Sequence, residues 1–185
     1  MKRQRSLSDP NGRHIRVYLT LINSPAWRVL GPSAVKLYLD MRAALTGTNN
    51  GNLSAALSDL KHRGWASSAT LAKALFELRT LGFIAVTREG GLKMGTRVCT
   101  LYRFVDQPVF EQPAVGVLAA PATHDYRLFG SVKEAEQALA TALGRLREEG
   151  GNKVTSKIKS PVQKLKRNAS ESEAERRSIA SVSEH

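Results

Sequence analysis

Residues 67–82 read SSATLAKALFELRTLG, and residues 83–91 continue without a break as FIAVTREGG. Leu71, Leu75, Leu78 and Leu81 recur at steps of three and four, the spacing that lines one face of a helix, while Thr70, Lys73, Glu77 and Thr80 fall elsewhere around it. Ser67 or Ser68 can cap the start by accepting from an otherwise unpaired backbone amide, and Gly82 suits the left-handed residue that ends such a helix. Beyond it, Phe83 to Arg88 is a β-type run, Gly90-Gly91 is a turn, and Arg97 to Phe104 (RVCTLYRF) is a second run. The stretch predicts a helix and then a hairpin bearing Arg88, Lys93 and Arg97.

Immediately upstream, residues 53–64 (LSAALSDLKHRG) predict a short helix with Ser54 as its cap and Gly64 as its stop. The connection Trp65-Ala66-Ser67 has the length of the turn in a helix-turn-helix. A helix pair followed by a basic hairpin is what a winged helix-turn-helix presents to double-stranded DNA. In that arrangement helix 67–81 reads the major groove and hairpin 83–104 contacts the backbone or minor groove. An ordinary α+β core with the same element order is the bland alternative, and the pattern alone leaves it open.

Charge favours the first reading. The 185-residue chain carries 28 Lys and Arg against 16 Asp and Glu, a formal net charge of +12, which suits a polyanionic partner. The excess peaks in residues 61–104 and in the two ends, whereas residues 105–150 are net acidic. Cys99 is the only cysteine, so an internal disulfide and a cysteine-rich zinc site are both excluded, and a reducing cytoplasm fits. The start of the sequence has no apolar run of signal-peptide length, and nowhere do 18 apolar residues follow one another, so neither secretion nor a membrane span is expected.

In chain order, residues 1–14 predict a flexible basic arm, either tracking phosphates or merely solvated. Ile15 to Leu21 fits a short strand or a lead-in to Ser24-Pro25-Ala26-Trp27, where Ser24 caps a turn, Pro25 takes the first helical position and Trp27 anchors it. Ala34 to Leu45 predicts a longer helix with Val35, Tyr38 and Leu39 facing inward and Met41 and Leu45 able to join them. Thr46 to Asn52 is a loop, and Leu53 can add a small strand. Residues 106–130, with several prolines, predict an extended strap or linker. Residues 131–149 predict an amphipathic helix capped by Ser131, and residues 150–185 a disordered basic tail.

The pattern SPAWRVL, SAVKLYLDMR, NNGNLS, SSATLAKALFELRTLGFI and then a basic hairpin resembles a group of small bacterial winged-helix proteins of plasmids, prophages and other mobile elements, over roughly residues 15–105. The resemblance implies an α+β winged domain and sequence-specific DNA binding. It places Ser67, Ser68, Thr70 and Lys73 at the major groove and Arg88, Lys93 and Arg97 on the wing. It leaves the role open among transcriptional regulator, replication factor and partition protein. The sequence departs from many such reading helices, which carry Arg or Gln near their start. With Ser, Ser, Ala and Thr there, specificity shifts towards methyl contacts, water or DNA shape.

No catalytic, metal or cofactor motif stands against this reading. His124-Asp125 has no nucleophile beside it in sequence, there is no HExxH or His-x-His, and neither a P-loop nor a dinucleotide fingerprint occurs. In the helix after Ser131, Val132, Ala135, Leu139, Ala142 and Leu146 form a two-heptad stripe, which either pairs two copies or packs back onto the winged domain. The expectation is therefore a non-enzymatic, cofactor-free DNA-binding regulator of the cytoplasm. Its alternatives are a maintenance or replication factor of a mobile element and a winged helix used only for protein contact.

Overall fold

The computed structural model describes residues 12, 14–93 and 95–148 of the chain. The arm expected over residues 1–14, apart from Gly12 and His14, and the tail expected over 150–185 lie outside them. The chain divides into two units, Met1–Leu139 and Ala140–His185. The fold of the first is α+β: three helices, a short strand, two more helices and then antiparallel strands.

Leu19–Ile22 (α1) is a single helical turn where a strand or lead-in was expected. In Pro25–Val29 (α2) the Ser24 hydroxyl accepts from the Trp27 amide at 3.3 Å and Pro25 occupies the first turn, as its missing amide allows. Pro32–Ala44 (α3) buries Ala34, Leu37, Tyr38 and Met41. Leu39, expected inside, is exposed, and Leu37 takes the place expected for Val35, which is only half-buried. Two stripes of similar apolar content compete on this helix. Tyr38 and Met41 belong to both; the stripe 34, 37, 38, 41 is the one that packs inward, which buries Ala34 and Leu37 and leaves Leu39 outside.

That cluster is the centre of the core. Tyr38 meets Trp27 and Phe104 edge-on at 5.2 and 5.1 Å, Trp27 meets Phe83 edge-on at 5.5 Å, and Phe83 stacks on Tyr126 at 5.6 Å. Edge-on and offset pairs are the favourable geometries for the ring quadrupole. Burial pushes the Tyr38 phenol well above its ordinary value, so it stays neutral.

Leu53–Ser54 (β1), Ile84–Arg88 (β2) and Leu101–Phe104 (β5) form one antiparallel sheet in the order β1-β5-β2, with Leu53 and Val86 both opposite Tyr102. Gly91–Lys93 (β3) and Thr96–Val98 (β4) form a separate two-stranded ribbon. The Gly90-Gly91 turn and the unbroken Arg97–Phe104 run expected from the sequence both need correction. The ribbon turns between Lys93 and Thr96, and the second run is interrupted at the exposed Cys99 and at Thr100. Gly90 instead permits a close approach, since a Cβ there would lie 2.5 Å from the Thr100 amide nitrogen.

Residues 106–130 form a strap tied to the sheet, through contacts that bridge long stretches of chain. The Asn50 amide donates to the carbonyls of Phe104, Gln107 and Pro108 and accepts from the Phe104 amide, closing the loop before β1 onto the end of β5. The strap then doubles on itself through bridges Val109 to Ala120 and Gln112 to Val117, covering a small apolar cluster with Leu101. It returns with Thr123 and His124 amides donating to the Val105 carbonyl, and it delivers Tyr126 into the core.

This return path explains why residue 82 is glycine. Its φ is +71°, and a Cβ would sit 2.8 Å from the Asp125 carbonyl carbon. Gly82→Ala should therefore lower unfolding free energy by about 2 kcal/mol, measured by urea titration, from left-handed strain and the clash together. An unchanged midpoint would mean that the strap does not close on the end of the helix.

Residues 132–148 (α6) are helical, with the Ser131 hydroxyl accepting from the Glu134 amide and the Glu134 carboxylate accepting from the Gly130 amide. Within the first unit Ala135 is fully buried in the core, so that position of the apolar stripe is not free to meet a second copy. Val132 and Leu139 are half-buried. In the second unit Ala142 is half-buried and Leu146 is 49% exposed.

Candidate nucleic-acid interface

The start of helix Ser68–Thr80 (α5) follows directly from local chemistry. Ser67 is in extended conformation and its hydroxyl accepts from the Thr70 amide at 3.3 Å. Leu71, Ala74, Leu78 and Leu81 are buried, while Leu75 is only half-buried. Ser67, Ser68, Thr70 and Lys73 all lie on the exposed side of the first two turns, with Ala69 and Ala72 beside them.

The preceding helix is shorter than expected. Leu57–Leu60 (α4) begins after the strand β1 and tightens into a 3₁₀ turn, Lys61–Arg63. Ser54 lies in that strand, where its hydroxyl accepts from the Ala56 amide instead of capping the helix. Gly64, at φ +85°, stops the turn as expected.

The turn between α4 and α5 is held by α3. The buried Trp65 donates its indole N–H to Asp40 Oδ2 at 2.8 Å, and Lys36 reaches the same oxygen at 2.6 Å while also donating to the Arg63 carbonyl. Arg63 stands 3.6 Å from the other carboxylate oxygen, and the Lys36 ammonium lies 5.0 Å above the Trp65 ring. Burial acting alone raises the Asp40 carboxyl. The hydrogen bonds from Lys36 and Trp65 and the charges of Lys36 and Arg63 outweigh it and hold the group below the usual carboxylate range. A lowered folded value means that this network stabilises at neutral pH and is lost as the pH falls through that value.

Glu77, assigned no structural role by its place in the pattern, is buried and accepts from the Gly31 amide at 2.9 Å. It thereby ties α5 to the start of α3. Lys73 lies 4.0 Å from the other oxygen of Glu77 but keeps 72% of its side chain exposed. A crevice of about 310 Å³ runs between the starts of α3 and α5, lined by Ser33, Lys36, Trp65, Ser67 and Thr70.

The hairpin cations separate. Arg97 is exposed on β4, opposite Leu92, and Lys93 lies opposite Thr96 on the same ribbon. Arg88 is half-buried and its guanidinium donates to the Val115 carbonyl of the strap at 3.2 Å, so it fastens the strap and is no free ribbon charge. Arg103 likewise turns to the Pro121 carbonyl. Sequence spacing cannot reveal such partners, because Val115 and Pro121 come from a segment whose path has no local signature. Lys61 and His62, exposed on the 3₁₀ turn, were not singled out, although the KHRG run marks them as basic.

The chain matches no family model, no curated protein and no solved structure. Among the described residues no group of three or more His, Cys, Asp or Glu is placed to hold a metal, and no helix is long and apolar enough to cross a membrane. The interface combines a capped helix start bare of large side chains, a basic turn before it, and a basic ribbon. The base of that ribbon shares a crevice with Ala55 and Ala56, the residues leading into α4.

Proposed function

We propose that residues 15–105 form a winged helix-turn-helix that binds double-stranded DNA, with α5 in the major groove and the β3–β4 ribbon along the backbone or minor groove. In this reading the protein is a cytoplasmic transcriptional regulator without catalytic activity. The observation that carries it is the sheet order β1-β5-β2 with a basic ribbon inserted between β2 and β5, directly after a helix pair joined at Gly64. In this reading the chain turns back at Gly82, and β2, about 17 Å long against a helix rise of about 20 Å, carries the ribbon towards the side of α5 offered to DNA. One duplex can then meet both. The net charge of +12 favours a nucleic acid over an acidic protein surface of limited size.

The test is selection of binding sites from random DNA, followed by titration at several salt concentrations. A short palindrome upstream of a gene supports regulation, whereas a repeated array near an origin supports a maintenance role. With about five phosphates neutralised, log affinity should fall against log salt with a slope of about −4 to −5. Thr70→Ala or Lys73→Ala should weaken the selected site more than random DNA, by about 1–3 kcal/mol where a base edge is contacted, while Arg97→Ala should weaken both alike. Arg88→Ala should act mainly on stability, since its guanidinium holds the strap. Salt-independent binding, or no enriched site with equal losses for all variants, would leave protein contact as the better account of this surface.

A further inference from the structure

We propose that the β3–β4 ribbon carries an apolar wedge, Leu92, that enters between base pairs in the minor groove and bends the duplex, so that part of the DNA preference is for a deformable step beneath the ribbon. This rests on the DNA-binding reading above and specifies how one of its two surfaces engages. Leu92 is 74% exposed and occupies the central pair of the ribbon, directly opposite Arg97. Opposed residues of an antiparallel pair project from the same face, so a branched apolar side chain and an exposed cation stand side by side. The neighbouring pair, Gly91 and Val98, projects from the other face and borders the crevice shared with Ala55, Ala56 and Tyr102. Leu92 and Arg97 therefore point away from the body of the domain.

A single exposed leucine needs no explanation on its own. Position and company distinguish this one. It sits near the end of a narrow two-stranded ribbon, a shape that fits a groove, in a segment whose charge is complementary to phosphate. The helix offered to the major groove has, at its exposed start, only Ser67, Ser68, Ala69, Thr70, Ala72 and Lys73. Hydroxyl and methyl groups that short form few bidentate contacts with bases, so direct readout is thin and sequence-dependent deformability has to supply more of the discrimination. An apolar side chain next to an arginine is the combination that unstacks a base step while holding the flanking phosphates. Steps such as TpA and CpA unstack with least resistance, and A-tracts resist.

The experiment uses the full chain and two end-labelled duplexes of equal length, one rich in TpA and CpA steps and one an A-tract, read by energy transfer between the ends and by titration. Wild type should bring the ends together by an amount matching a bend of about 20–90°. It should also favour the flexible duplex by about threefold or more. Leu92→Ala should lose most of the bend and of the preference while still binding both duplexes, and Leu92→Phe should keep them. Arg97→Ala should weaken binding to both duplexes. Circular dichroism controls for folding, which an exposed ribbon residue should not disturb. A wild type that binds but leaves the duplex straight, or a Leu92→Ala protein that bends as well as wild type, overturns the wedge and spares the DNA-binding reading. A wild type that binds neither duplex overturns both.

Discussion

Asp106→Ala is expected to lower the unfolding free energy by about 3–5 kcal/mol, the largest loss foreseen for a single polar side chain in this domain. Asp106 accepts both terminal nitrogens of Arg42, at 2.8 and 2.9 Å, and the two side chains are only 3% and 4% exposed. Arg42 Nε donates to the Arg16 carbonyl at 3.1 Å, and the guanidinium lies 4.9 Å above the Phe104 ring. Removing the carboxylate leaves that cation buried and without its counter-charge, which costs more than the pair itself contributes. The companion double variant Arg42→Met with Asp106→Leu decides the cause. It should recover most of the loss in a urea titration, because a buried ion pair can be exchanged for apolar contacts of similar volume. A single variant as stable as wild type would mean that water reaches Arg42.

Tyr126→Ala should cost a similar amount, about 3–5 kcal/mol, by emptying a ring-sized site in the core. Tyr126 is 2% exposed and stacks on Phe83 at an interplanar angle of 7°. The consequence reaches the interface, because Phe83 immediately follows Gly82 and the Phe83 amide donates to the Leu78 carbonyl at the end of α5. Tyr126→Phe keeps the ring and should stay near wild type. A Tyr126→Ala protein with the stability of Tyr126→Phe would show that the strap does not contribute to the core.

What could be read in the sequence was local. Ser67, Gly64 and Gly82 mark the ends of the two helices because a cap hydroxyl and a left-handed glycine act within three residues of where they stand. The α+β order followed from the same punctuation. The parts that were illegible depend on distant partners. Glu77 resembles a solvated helix position until Gly31 is brought against it, and Arg88 resembles a ribbon cation until Val115 arrives. Leu37 and Leu39 flank Tyr38 and could be told apart only by the side on which α3 meets α5. For the interface, Thr70, Lys73 and Arg97 lie on exposed surface, and the exposure of Leu92 has no local signal, because a leucine in a β-type run has the pattern of a core residue.

The strap also sets an order of events during synthesis. Gly31 and Glu77, 46 positions apart, can meet without it, but Arg42 must wait 64 positions for Asp106, and Tyr126 must arrive before Phe83 is covered. Chains leave the ribosome from the N-terminus at about 5–20 residues per second, so α5 emerges about 2–9 s before the ring that completes its floor. During that interval Leu71, Leu78 and Leu81 have only part of their native neighbours. The nascent chain thus spends that interval with the proposed DNA-reading helix already out and its apolar underside only partly covered, by α3, and the pace of translation through the strap governs how long that exposure lasts.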